Sequence, residues 1–223
     1  MTKKEMARMI DHTYLKPEGT KKEIDKLIDE AIKYDFKTVC VNSSWVKYVK
    51  TKLEKTNTGI TSVIGFPLGA GITQSKAQEA KLAISHGADE IDMVINIGKL
   101  KEKEYEYVLN DIKAVKKECG KHILKVIVET ALLTSEEIIR ATEIVLNSGA
   151  EFVKTSTGFS YRGASLDDVK LMYSITQGKI QIKAAGGISN SSNLEAMYKA
   201  GATRFGTSRS VAILEGLESK EGY

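Results

Sequence analysis

The chain has 223 residues, 42% hydrophobic and 28% charged, with a formal net charge of +4. That is apolar material for one large core, and its lysines alternate with glutamates (KKEIDKLIDEAIK) instead of forming a basic block with aromatic platforms. A nucleic-acid-binding surface of the usual kind is therefore excluded, and no run of eighteen apolar residues predicts a membrane span.

Taken in order, short β-branched runs alternate with helical periodicity. Residues 9–15 (MIDHTYL) predict a strand. Residues 21–34 put Ile24, Leu27, Ile28, Ala31 and Ile32 on one helical face. TVCV (38–41) predicts a strand and residues 44–53 a helix. ITSVIGF (60–66) predicts a strand that runs into a glycine-rich loop, after which Thr73 is expected to cap a helix to about Ser85. EIDMVIN (90–96) and ILKVIVE (123–129) are strands around one helix over 101–118. Thr134 with Glu137 forms a capping-box start for a helix to about Asn147. Residues 151–155, 180–185 and 203–208 complete the strands. Helices are expected over 166–175, over 193–199 and from the last strand to about Leu217.

One punctuation mark recurs, in HGADEIDMV, SGAEFVKTS and AGATRFGTS, where a glycine ends a helix shortly before a strand. Eight strands alternating with eight helices predict a parallel sheet covered by helices. In the absence of GxGxxG and GxxxxGK[ST], this favours a single-domain (β/α)8 TIM barrel over 1–223, of class α/β, above an open doubly wound sheet.

In such a barrel the chemistry sits at the carboxyl ends of the strands, and period two sorts inward from outward residues. Asp92, Lys125, Glu129, Lys154 and Lys183 then point inward. Lys154 and Lys183 lie at similar height on neighbouring strands. Two confined ammonium groups repel and desolvation acts in the same direction, so each lysine is expected to depress the other's pKa. About one part in a thousand of an unperturbed lysine is neutral near pH 7.4, whereas a depressed one is a nucleophile toward carbonyls. Asp92 is placed to stabilise the remaining charge and shuttle protons. The competing reading is an interior salt-bridge network, which Lys125 with Glu129 or Asp92 fits. The glycine loops Gly186-Gly187-Ile188-Ser189 and Gly206-Thr207-Ser208-Arg209 follow the seventh and eighth strands, where barrels hold phosphate, and Gly158 and Arg162 lie in the loop after the sixth.

EIDMVIN, LKVIVET, FVKTSTGF, IKAAGGI and TRFGTS, with IDHTYLKP at the start, resemble deoxyribose-phosphate aldolase, in order, from Ile10 to about Leu214. The resemblance implies a metal-free and cofactor-free lyase. Such an enzyme cleaves 2-deoxy-D-ribose 5-phosphate to D-glyceraldehyde 3-phosphate and acetaldehyde through a lysine Schiff base. It makes Lys154 the Schiff-base lysine, Lys183 its perturbing partner and Asp92 the acid/base group. Asp11, Thr13 and Cys40 match positions near the substrate, where Lys125 and Thr157 are also expected. Gly158, Gly186, Gly187, Gly206 and Ser208 match the phosphate side.

Two departures stand out. Ser189 occupies a position where many members carry arginine, and Arg209 one where a small residue is common. Arg209 or Arg162 is therefore expected to take over phosphate contact, with Arg209 favoured. Tyr223 is a candidate proton donor over the barrel mouth, against the plainer reading of an exposed tail. The alternatives are another Schiff-base phosphosugar aldolase or a non-catalytic phosphosugar-binding barrel. The expected partners are the small-molecule phosphosugar and acetaldehyde, with no nucleic acid and no membrane. The protein is expected to be a cytoplasmic homo-oligomer, with Cys40 and Cys119 as reduced thiols. The three histidines, His12, His86 and His122, lack ligand spacing, so no metal site is expected.

Overall fold

The computed structural model describes residues 1–217; Tyr223 lies outside them. Strands β1 (Ile10–Thr13), β2 (Thr38–Asn42), β3 (Gly59–Ile64), β4 (Glu90–Val94), β5 (Ile123–Ile127), β6 (Phe152–Lys154), β7 (Gln181–Ala185) and β8 (Arg204–Thr207) pair in sequence order. All neighbours are parallel, and β8 returns to pair with β1, so the sheet is a closed barrel.

Around it lie α1 (Lys3–Ala7), α2 (Lys21–Tyr34), α3 (Val46–Leu53), α4 (Thr73–Ser85), α5 (Ile97–Lys101), α6 (Tyr105–Cys119), α7 (Ser135–Leu146), α8 (Leu166–Thr176), α9 (Ser191–Lys199) and α10 (Ser210–Glu215). Local chemistry starts several of them. Thr20 with Glu23, Thr134 with Glu137 and Ser165 with Asp168 form reciprocal capping boxes that satisfy orphan helix donors. The Gly-Ala punctuation has a steric cause at Gly201. Its φ is 116°, and a Cβ there would lie 2.3 Å from the Tyr173 ring.

Two expectations are corrected and one element is added. The single helix over 101–118 is two, α5 and α6, because Lys103 adopts a left-handed φ of 62° between them. Thr73 does not cap α4: Ile72 holds the cap position, and the Thr73 hydroxyl donates to Asp111 at 2.8 Å. α1 was not anticipated, since five residues are too few for a periodic signal; Thr2 and Glu5 box its start, and it buries Met6 and Ala7.

The main apolar core fills the layer between barrel and helices. Ile91, Met93, Leu124, Val126, Val128, Val153 and Ile182 belong to it, with helix residues such as Ile24, Leu27, Ile112, Val115 and Leu194. These strand residues are the outward set that period two predicts. The barrel interior takes the alternate set, in which the buried charged residues stand beside apolar ones such as Val63, Ile127 and Phe152.

Candidate active site

Strand register sets the height of each inward side chain. Lys154 on β6 is level with Lys183 on β7, and Asp92 on β4 is level with Lys125 on β5. Ile127, two residues on from Lys125, is the partner of Lys154, so Lys125 sits one inward layer below. Four cations and three carboxylates form one connected cluster. Lys154 Nζ and Lys183 Nζ both reach the same oxygen, Asp92 Oδ2, at 2.7 Å. Lys183 also donates to Asp11 Oδ2 at 2.5 Å. Lys125 reaches Asp92 Oδ1 at 2.8 Å, Glu90 at 2.6 Å and Asp11 at 3.6 Å. Arg204 bridges Asp11 at 2.8 Å and Glu90 at 2.7 Å.

The two upper lysines are not equivalent. Burial pushes the Lys154 amine below the ordinary lysine value; Asp92 opposes this and Lys183 reinforces it. Burial also acts against the Lys183 ammonium, but Asp11 and Asp92 outweigh it and raise its pKa. The expected mutual depression is thus corrected to a one-sided one. The reason is Asp11, which barrel closure brings beside Lys183 from the far end of the chain. Asp92 would be raised by burial, yet Lys125, Lys154 and Lys183 together hold it well below the usual carboxylate range.

Lys125 is fully buried and occupied by three carboxylates, with Thr61 at 3.3 Å. It belongs to the salt-bridge network and does not pair with Glu129. Glu129 instead accepts from the Thr157 backbone N–H at 3.2 Å and from the Thr157 hydroxyl. Burial raises its carboxyl above the ordinary glutamate value. That bond holds the loop following Lys154, and Thr157 Oγ1 accepts in turn from Phe159 N–H at 3.0 Å. Thr13, one inward position above Asp11, turns its hydroxyl to the Asp11 carbonyl at 2.8 Å. Cys40 is buried in the same interior, and burial raises its thiol, so it stays protonated there.

At the carboxyl ends of β6, β7 and β8 a cavity of about 210 Å³ is lined by Gly158, Gly186, Gly187, Gly206, Ser208 and Arg209, and by Arg162, Gly163 and Ile188 among others. Every expected phosphate-side residue is in this wall. Gly206 joins it to the lysines: a Cβ there would lie 3.1 Å from Lys183 Cε. Gly163 was not anticipated. A Cβ on it would lie 2.2 Å from the Gly186 carbonyl carbon, so the two loop backbones pack directly on each other. Both arginines lie in this wall. Arg162 is held by Asp168 at 2.5 Å and by the Thr130 carbonyl at 3.0 Å. Arg209 stands at the start of α10, its N–H donating to Thr207 Oγ1 at 3.0 Å. Ser189 is not among the lining residues.

Glu90 and Arg204 were also missed. Period two carried the signal, because each stands two residues before a group read as part of the site, Asp92 and Gly206. Among the described residues, no group of three or more His, Cys, Asp or Glu side chains could hold a metal ion. No helix among them is long and apolar enough to cross a membrane.

A family model described as DeoC/LacD family aldolase matches residues 5–214. The deoxyribose-phosphate aldolase of Mycoplasmopsis pulmonis is 64% identical over 98% of this chain and 100% of its own length. Among solved structures, an aldolase named QR15 superposes with a TM-score of 0.90 at 39% identity, covering 94% of each chain. The deoxyribose phosphate aldolase of Aeropyrum pernix, described as tetrameric, gives a TM-score of 0.89 at 29% identity, over 96% of this chain and 91% of its own. With the family model spanning nearly the whole barrel, and relatives this similar over their full lengths, the chain belongs to the DeoC/LacD aldolase family.

Proposed function

We propose that this protein is a 2-deoxy-D-ribose 5-phosphate aldolase, a lyase that uses Lys154 as its Schiff-base nucleophile. One observation carries the reading: Lys154 and Lys183 share a single oxygen of Asp92, and only Lys154 has its amine depressed. A lysine poised to lose its proton, beside a protonated lysine that can donate and an ionised carboxylate that can accept, is the equipment of iminium chemistry.

The neutral Lys154 amine attacks the C1 aldehyde of the open-chain sugar, and a C–N bond forms. Protonation of the resulting carbinolamine oxygen, with Lys183 as donor, releases water and leaves an iminium. Asp92, through water, takes the proton of the C3 hydroxyl. The C2–C3 bond then breaks, its electron pair moves into the iminium to give an enamine, and D-glyceraldehyde 3-phosphate departs. The enamine is protonated at carbon, water adds, and acetaldehyde leaves as the Lys154 amine is restored. The glycine-lined cavity takes the phosphate on its backbone N–H groups, with Arg209 as the added cation. Binding energy at that remote end positions the reacting carbons. Asp11, Thr13, Cys40 and Thr157 line the substrate side. Lys125 acts below it as a counter-charge.

A cytoplasmic setting suits two thiols that are buried and unpaired with each other. The tetrameric Aeropyrum pernix relative supports homo-oligomeric assembly. Borohydride reduction in the presence of 2-deoxy-D-ribose 5-phosphate, followed by peptide mass spectrometry, tests the central claim. A reduced adduct on Lys154 is expected. An adduct on another lysine, or none, overturns the assignment.

A further inference from the structure

The proposed reaction leaves Glu90 and Arg204 unused, though both are buried in the same ion cluster. The cluster carries four potential cations and three carboxylates, so one proton is in excess. A net charge inside a low-dielectric barrel is unfavourable, and release of one proton would relieve it. Which group releases it follows from the contacts. Lys125 touches three carboxylates, and Lys183 and Arg204 two each. Lys154 touches one, through an oxygen it shares with Lys183. Arg204 does not lose its proton at any accessible pH, so it acts as a fixed charge.

We propose that Arg204 and Glu90, the lower end of the cluster, are positioning residues that hold its charge balance so that Lys154 is the group left without a proton. Arg204 occupies one oxygen of Asp11 and leaves the other to Lys183, and Glu90 holds Lys125 against Asp92. Asp92 is thereby engaged on one oxygen from below, and its other oxygen is divided between the two upper lysines. Among the described residues, the rest of the wall makes no ion pair with the cluster: β2 contributes the buried Cys40 thiol, β3 the uncharged Thr61, and the end of β5 Glu129, whose carboxylate oxygen is engaged by the Thr157 backbone N–H and hydroxyl. The inference rests on Lys154 being the Schiff-base lysine.

Charge-changing variants with opposite predicted signs test it. Removing the cation in Arg204→Met leaves three lysines facing three carboxylates, so Lys154 keeps its proton to higher pH. The acidic limb of kcat/KM for 2-deoxy-D-ribose 5-phosphate is expected to move up by about one pH unit, the size for a unit charge roughly 10 Å away at an effective dielectric constant near 20. Glu90→Gln removes an anion and is expected to move the limb down by a similar amount. Arg204→Met/Glu90→Gln restores a single excess cation and is expected to return the limb to within a few tenths of a unit of the parent. Arg204→Lys keeps the charge and is expected to leave it in place.

A purely structural role lowers activity without moving these limbs in opposite directions. Shifts in one direction for both single variants, or coincident profiles, overturn the proposal. Should Arg204→Met fail to fold, Glu90→Gln decides against the parent: a limb that does not move down overturns the proposal. Borohydride trapping separates the two levels. No adduct on Lys154 in the parent defeats the aldolase reading, whereas an adduct with unmoved profiles defeats only the charge-balance inference.

Discussion

The protein buries lysines in two ways. Between α4, α6 and the end of β4, Lys76 donates to Asp111 at 2.7 Å and to the Val94 carbonyl at 3.0 Å, and Thr73 takes the other Asp111 oxygen. That is one cation with its own carboxylate and every acceptor engaged, which makes a pin between helices. Inside the barrel, Lys154 has one carboxylate oxygen and shares it with a second ammonium. Both lysines are almost fully buried, at 1% and 3% exposure, so burial alone does not separate structural from reactive. Sharing of the counter-charge does.

The contrast breaks most sharply by deleting each amine. Lys154→Met is expected to lower kcat by at least ~10³-fold, as loss of a covalent nucleophile does. Its thermal midpoint is expected to stay level or rise, because the variant removes a buried amine whose protonation the cluster does not compensate. A marked loss of stability in that variant, measured by thermal denaturation, would place Lys154 with Lys76. Lys76→Met is expected to do the reverse. It strands Asp111 and destabilises the fold by about 3–5 kcal/mol, with kcat per folded molecule unchanged, and Lys76→Met/Asp111→Leu is expected to recover most of the loss. Denaturant titration with active-site counting separates these outcomes. The smallest effect concerns the cavity beyond the lysines. Arg209→Ala is expected to raise KM for 2-deoxy-D-ribose 5-phosphate about tenfold, the scale of one charge-assisted hydrogen bond. KM for unphosphorylated 2-deoxyribose is expected to stay put; an unchanged KM for the phosphorylated sugar assigns the anion to the glycine backbone alone.

Much of this site was readable because a strand has period two. That rule places Asp92, Lys125, Lys154 and Lys183 inside the barrel, and chain order makes β6 and β7 neighbours. The same rule reaches Glu90 and Arg204, but a charged residue at the start of a strand also reads as a solvated end, so the pattern did not single them out. The Lys103 break between α5 and α6 had no signal of its own, since a left-handed lysine looks like any helical lysine in sequence. Gly163 was invisible for a different reason: what demands a glycine there is the Gly186 backbone, from the loop after another strand.

The sequence by itself determined the alternation of strands and helices, the capping box at Thr134, the inward charged residues and the pairing of two lysines at one height. All of these follow from local periodicity, local hydrogen bonding and order along the chain. Only the tertiary structure decided that the two lysines differ. Closure of β8 onto β1 brings Asp11 to 2.5 Å from Lys183, across 172 residues of chain, and leaves Lys154 with a shared oxygen of Asp92. Coulomb interactions depend on distances between groups remote in sequence, and no local pattern carries those distances.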